Sequence, residues 1–198
     1  MRFVFIRQIF ILAAALTLSA RMGWTQQSVP SGRLVSGTLS FDGHATAGDF
    51  TGTTTMVSGQ VTGAPDLAKV RGWVEAPVQT LKTGNGKRDK DLNKSMESDR
   101  FPVLRFDLSR LTRTGGSADS VGVLLSGALQ IHGVTRKVEL PGSIRFSGEE
   151  ARVRTDFPLN LKDYRIGGLT KLLGMLKMYE DIEVHADLVF RLNTAARS

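Results

Sequence analysis

The 198-residue sequence contains no cysteine. That absence removes disulfides, thiolate metal sites and a cysteine nucleophile together. It also removes the lipidated N-terminal cysteine that would tether an exported protein to a membrane. Aromatic residues are few, with only two Trp and two Tyr to stack on bases. The basic residues are scattered rather than clustered, so the chain lacks a nucleic-acid footprint. It has no Gly-x-Ser-x-Gly elbow and no phosphate-binding P-loop. It also has no internal repeat, low-complexity tract or composition shift that would divide it into domains.

What is present fits one ordinary globular domain. Hydrophobic residues make up 41% and charged residues 23%, outside the range of disordered chains. The 21 glycines suit an all-β chain with many turns and strand bends. The first 25 residues have the layout of a cleaved signal peptide. Arg2 and Arg7 form a positive start, residues 8–20 (QIFILAAALTLSA) are uncharged and mostly apolar, and Gly23 and Thr25 offer a cleavage site before Gln26. Ala20 is a weaker cleavage site because Leu18 precedes it by two. The apolar run falls short of the roughly 20 residues that span a bilayer, which disfavours an uncleaved anchor. Removing residues 1–25 takes away three arginines and no acid, so the formal charge falls from +7 to +4. That mild excess is compatible with transient contact with an anionic membrane surface.

From residue 26 to 198 the chain reads as short alternating strands. Val35, Gly37, Leu39 and Phe41 share one face of a first strand, and Phe50, Thr54 and Met56 one face of a second. Val70, Val74 and Val78 mark a third, and Leu104, Phe106 and Leu108 a fourth. Val123, Leu125, Leu129 and Ile131 follow, then Val138, Leu140, Ile144 and Phe146. Val153, Phe157, Leu159 and Leu161 form a seventh set, and the even positions from Ile182 to Leu192 an eighth. A period of two with one apolar face indicates half-buried antiparallel strands. Turn signals at 83–86, 115–117, 132–133 and 147–150 separate them. Eight such strands with no long helix between them predict a sandwich or a closed barrel. Two stretches break the pattern: the charged 87–98 predicts a short surface helix, and the apolar 168–178 a short helix or loop.

Three segments resemble one family. RDKDLNKSMESDRFPVLRF (88–106) is similar to a charged helix running into a Pro-x-x-x-Phe strand, GALQIHGVTRKVELP (127–141) to a Gly-Val-Thr-Arg hairpin, and FPLNLKDYRIGG (157–168) to a third family segment. SFDGHATAGDFTGTTTMVSGQV (40–61) matches its first two strands loosely. On these residues the chain resembles the YceI-like family of secreted, polyisoprenoid-binding, lipocalin-like β-barrels, across roughly residues 33–192. The 168–180 stretch departs most from the family pattern.

The resemblance implies an eight-stranded antiparallel lipocalin-like barrel with one or two short helices near its ends. It further implies a periplasmic or secreted protein, often a homodimer, sheathing an isoprenoid lipid such as a polyprenyl phosphate or an isoprenoid quinone. It implies no cofactor and no catalytic residues. The expected lining is Phe50, Met56, Val74, Leu104, Phe106, Leu125, Leu129, Phe157, Leu159, Leu188 and Phe190, with Arg88 as the head-group candidate at the mouth. The competing reading of these residues is a dry packed core. An isoprene unit has five carbons, each worth roughly 0.8 kcal/mol on burial. A few units therefore dominate affinity without a strong head-group site.

His44, His132 and His185 lack short ligand spacing, so no metal is expected. His132 is placed at a turn and His185 on the outward face of the last strand. Asp163 and Tyr164 are the one acidic constellation worth weighing for chemistry, and a turn is the simpler account. Two alternatives remain, an enzyme acting on the bound lipid and a small outer-membrane barrel. The outward residues Arg105, Asp107, Glu183, Asp187 and Arg191 suit water better than acyl chains.

Intact-mass measurement of the exported protein checks the leader. The expected chain begins at Gln26, and retention of residues 1–25 would show an anchor instead.

Overall fold

The computed structural model describes residues 28–193 apart from 47, 118–119, 168–169 and 172–175. The leader, and the middle of the apolar 168–178 stretch, lie outside the described residues.

The alternating segments form β1 (Gly32–Gly43), β2 (Phe50–Thr54), β3 (Ser58–Thr62), β4 (Arg71–Pro77), β5 (Val103–Gly116), β6 (Val121–Ile131), β7 (Val134–Ser147) and β8 (Glu150–Asn160). Two-residue strands β9 (Thr170–Lys171) and β10 (Leu176–Lys177) pair with each other, and β11 (Asp181–Leu192) ends the sheet. Every neighbour pair is antiparallel, and β1 pairs with β11 to close the sheet on itself. The barrel therefore runs β1, β3, β4, β5, β6, β7, β8, β11 and back to β1, eight strands with β2 as the extra one.

β2 and β3 lie along the same edge of β1 in one register, with Phe41 opposite Gly52 and Gly32 opposite Val61. They are two ends of one strand position, interrupted at residues 55–57. The interruption explains a correction. Met56 shares parity with Phe50 and Thr54 in the sequence, but it falls in the break and is 63% exposed. On the facing strand, Val35 forms a bulge in the β1–β11 register and is also exposed.

Among the described residues one α-helix, α1 (Gly86–Ser95), lies between β4 and β5. The Asn85 side chain caps it by accepting from the Lys87 and Arg88 amides. Asp89 in its first turn accepts from the Thr83 amide and hydroxyl at 2.8 and 2.7 Å. The 168–178 stretch, expected as a short helix or loop, is described only in part. The described part of 168–178 is the β9–β10 ladder.

Core packing is set by parity. Ile182, Leu188, Phe190 and Leu192 of β11 and Ala151, Phe157 and Leu159 of β8 are all buried. Glycines let inward rings lie flat against the wall. A Cβ on Gly127 would meet the Asp107 carbonyl at 2.4 Å and the Phe106 ring at 2.7 Å. The β6–β7 hairpin turns on His132 and Gly133, both at positive φ, 51° and 72°, as a tight two-residue turn requires.

Gly127→Ala is expected to destabilise by about 1–3 kcal/mol, because the obstructing carbonyl is backbone and cannot step aside. Gly86→Ala meets open space and is expected to be neutral or mildly stabilising. Urea unfolding of both variants checks the contrast.

Candidate functional site

The inward face of the barrel encloses a cavity of about 250 Å³. By the same measure one water needs about 10–15 Å³, so the space would take on the order of twenty waters. Almost nothing in the wall could hold them. Thr155, buried in mid-barrel, already donates its hydroxyl to the Pro141 carbonyl at 2.7 Å. An apolar space of this kind favours an apolar occupant over water.

The lining spans the whole barrel. Along β11 it runs from Ile182 to Leu192, about 33 Å of strand at 3.3 Å per residue, or roughly 25 Å along the axis after strand tilt. At the α1 end Leu92, Met96, Leu161, Ile166 and Met178 border it. Met96 and Ile166 are 6% and 2% exposed. At the other end Val29, Leu67, Val70 and Phe146 border it. Phe146 is 47% exposed and, among the described residues, is the one large lining hydrophobic that is exposed. On its flank the space reaches Gln60, Glu75 and Arg105, beside the point where β2 gives way to β3.

Nine of the residues expected to line an interior surround this space: Val74, Leu104, Phe106, Leu125, Leu129, Phe157, Leu159, Leu188 and Phe190. Met56 and Phe50 do not. Phe50 packs edge-on against Phe41, ring centroids 6.1 Å apart. Arg88, the head-group candidate, lays its guanidinium over the Phe50 ring at 4.3 Å and is outside the lining. The end residues Met96, Ile166 and Met178 stand outside the expected lining, because they come from turns and a helix cap with no period of two, although 87–98 and 168–178 are the two segments that break the strand pattern. The Leu92 and Met96 pair, four residues apart, is the signal that could have marked one of them.

The histidines are engaged locally. His132 contacts the Tyr164 carbonyl through Nδ1 and Glu97 through Nε2, at 3.1 and 3.2 Å, and its ring meets Phe101. It thereby ties three segments of the α1 end together. Asp163 pairs with Arg136 at 3.0 Å, and Tyr164 beside it is buried. Burial pushes the Tyr164 phenol above its ordinary pKa. His185 lies on the outer face between Asp156 at 2.6 Å on Nδ1 and Asp42 at 3.1 Å on Nε2. The two ring nitrogens point apart, so these carboxylates do not converge on one metal position. Among the described residues no group of three His, Asp or Glu side chains is placed to hold a metal.

Fold and cavity together define the class, an eight-stranded antiparallel barrel enclosing an apolar tube. The YceI-like domain family model matches residues 33–190. The chain belongs to that family. Among solved structures it is similar to BcnA of Burkholderia cenocepacia, with 17% identity, a TM-score of 0.66, and 77% of this chain and 95% of that chain covered. It is equally similar to a polyisoprenoid-binding domain from Saccharophagus degradans implicated in plant cell wall breakdown (14% identity, TM-score 0.66, 83% and 99% covered). A Campylobacter jejuni YceI protein, crystallised as a variant with a monobromobimane guest, shares 16% identity at a TM-score of 0.56, with 70% and 82% covered. A search of curated proteins finds no significant match.

The His185 cluster yields a pH test. The hydrogen bond to Asp156, opposed by partial burial and reinforced by Asp42, holds the His185 pKa above its usual value. A raised pKa means the pairing stabilises the fold fully below about pH 6.5 and fades as pH rises through the folded-state pKa. His185 is 35% exposed at its side chain, so screening keeps the effect below about 1 kcal/mol. Thermal melts from pH 6 upward are expected to show this loss in the native protein and not in His185→Gln.

Proposed function

We propose that the protein binds a long-chain isoprenoid lipid inside the barrel and carries or stores it without acting on it chemically. The observation that carries this reading is the apolar tube running from Met96 and Ile166 at one end to Phe146 at the other. An occupant that binds the folded barrel and not the unfolded chain would stabilise the fold as well as serve function. A branched, flexible hydrocarbon suits a narrow tube with almost no polar contacts. The polyisoprenoid-binding domain from Saccharophagus degradans, which shares the fold, supports this choice of ligand class.

Polyprenyl phosphates and isoprenoid quinones both fit, because tail burial at about 4 kcal/mol per five-carbon unit outweighs the head. Arg88 is not carried into the reading, since it is committed to Phe50. The outer face argues for water rather than acyl chains around the barrel. Arg105 bonds Glu75 and Asp107, and Asp187 is shared by Arg152 and Arg154. With the signal-like leader, this supports a periplasmic or secreted carrier.

Native mass spectrometry of protein exported by its own host tests the reading. An adduct in the isoprenoid mass range, lost on organic extraction, is expected. Ala186→Phe, which pushes a ring into the tube, is expected to lower occupancy by about fivefold or more while the barrel still folds. A reproducibly unliganded protein that ignores added prenols and quinones would overturn it.

A further inference from the structure

The two ends of the barrel carry different charge. Antiparallel topology gathers at the Phe146 end the start of β1, the ends of β5, β7 and β11, and the start of β8. Those strand ends hold Arg33, Arg113, Arg145, Arg152, Arg154 and Arg191. The carboxylates described there are Asp66, Glu149, Glu150 and Asp187, and Asp187 is split between Arg152 and Arg154. At the opposite end the cations of α1 alternate with Asp89, Asp91, Glu97 and Asp99, and the adjoining outer wall carries Asp42, Asp156 and Glu183. The basic excess of the chain is thus concentrated around one rim.

Part of this charge is met within the fold, where Arg191 reaches Glu150 at 3.5 Å and Arg152 reaches Asp187 at 2.6 Å. Arg33 stands directly opposite Arg191, and Arg145 directly opposite Arg152, on the outward face. Like charges in such cross-strand pairs are destabilising. Beside the second pair, a groove of about 240 Å³ is lined by Arg145, Arg152 and Arg154 with Ser143 and Ser147, and by the carboxylate of Glu150. Arginine forks and hydroxyls are donors suited to phosphate oxygens. Phe146, half exposed, stands at the cavity mouth beside them.

We infer that the Phe146 end is a docking face for an anionic phospholipid bilayer, on which the rim arginines engage lipid phosphates while Phe146 enters the acyl boundary and sets the cavity mouth against the membrane. Its purpose rests on the lipid-carrier reading, because a tube that opens onto the bilayer exchanges its ligand without exposing the tail to water. The opposed arginines repel less once phosphates lie between them, so the charge pattern and the open mouth have one explanation.

Vesicle co-sedimentation tests this without any isoprenoid present. The exported protein is expected to bind phosphatidylcholine vesicles containing about one-third phosphatidylglycerol, to ignore pure phosphatidylcholine, and to be released by salt. Reversing three rim charges (Arg33→Glu, Arg113→Glu, Arg145→Glu) is expected to weaken binding at least about tenfold. The same charge change on α1 (Lys87→Glu, Lys90→Glu, Lys94→Glu) is expected to leave most of it. Phe146→Trp gives a readout independent of the charge variants, a blue-shifted emission on the anionic vesicles only. No binding to anionic vesicles, equal loss in both triple variants, or an unshifted emission from vesicle-bound Phe146→Trp protein would overturn the proposal. Ligand occupancy by mass is read separately, so a carrier that does not dock and a docking protein with no isoprenoid give different results.

Discussion

The closure of β1 onto β11 is the constraint on which the rest of the structure depends. Ten residue pairs from Gly32–Leu192 to Asp42–Glu183 join the first strand to the last, stepping once at Val35. Closure removes the open edges that a sheet of this size would otherwise expose. It also fixes parity around the whole barrel, because a one-residue slip anywhere would turn an apolar row outward. With parity fixed, one side of every strand must face the enclosed space, and eight strands make that space about one ligand wide. What decides whether it fills is side-chain volume. Gly59, Gly72, Gly142 and Ala186 take inward positions and put little or no side chain into the space. Function follows from this shortfall of volume inside a wall that the backbone closes.

The ends of the tube are built differently from its wall. At one, Asn85 caps α1, Asp89 fixes its first turn to Thr83, and His132 ties Glu97 to the Tyr164 carbonyl. These local hydrogen bonds hold Met96 and Ile166 at that end. At the other, Phe146 remains half exposed among arginines. A barrel whose described residues bury Met96 and Ile166 at one end and leave Phe146 half exposed at a charged rim has a direction, and a carrier that loads and unloads needs one.

Much of this was legible in the sequence, and the reason is periodicity. Inward residues of β6, β8 and β11 alternate without interruption, and those of β5 do so up to the bulge after Leu108, so Leu104, Leu125, Phe157 and Phe190 could be placed from parity alone. Met56 shows where that reasoning stops. Its parity was right for an unbroken strand, but the chain leaves the sheet at residues 55–57, just after Thr53 bridges Lys82 on the edge away from β1. Arg88 was read from its position in a charged helix, and no pattern of spacing reveals that a neighbouring Phe50 ring holds it. The end residues stood outside the expected lining because turns have no period. The charge asymmetry was hidden more deeply. A formal +4 after the leader looks mild, and only the up-and-down topology brings arginines 33, 145, 152 and 191 to one rim.

The central claim is that the barrel interior sheathes a hydrocarbon chain and that the length of the tube limits how much of it counts. Equilibrium binding of a series of prenols differing by one isoprene unit tests this most directly. The account predicts affinity that climbs with each added unit and then levels once the tube is full. Affinity independent of chain length, or set by the head group alone, would contradict it.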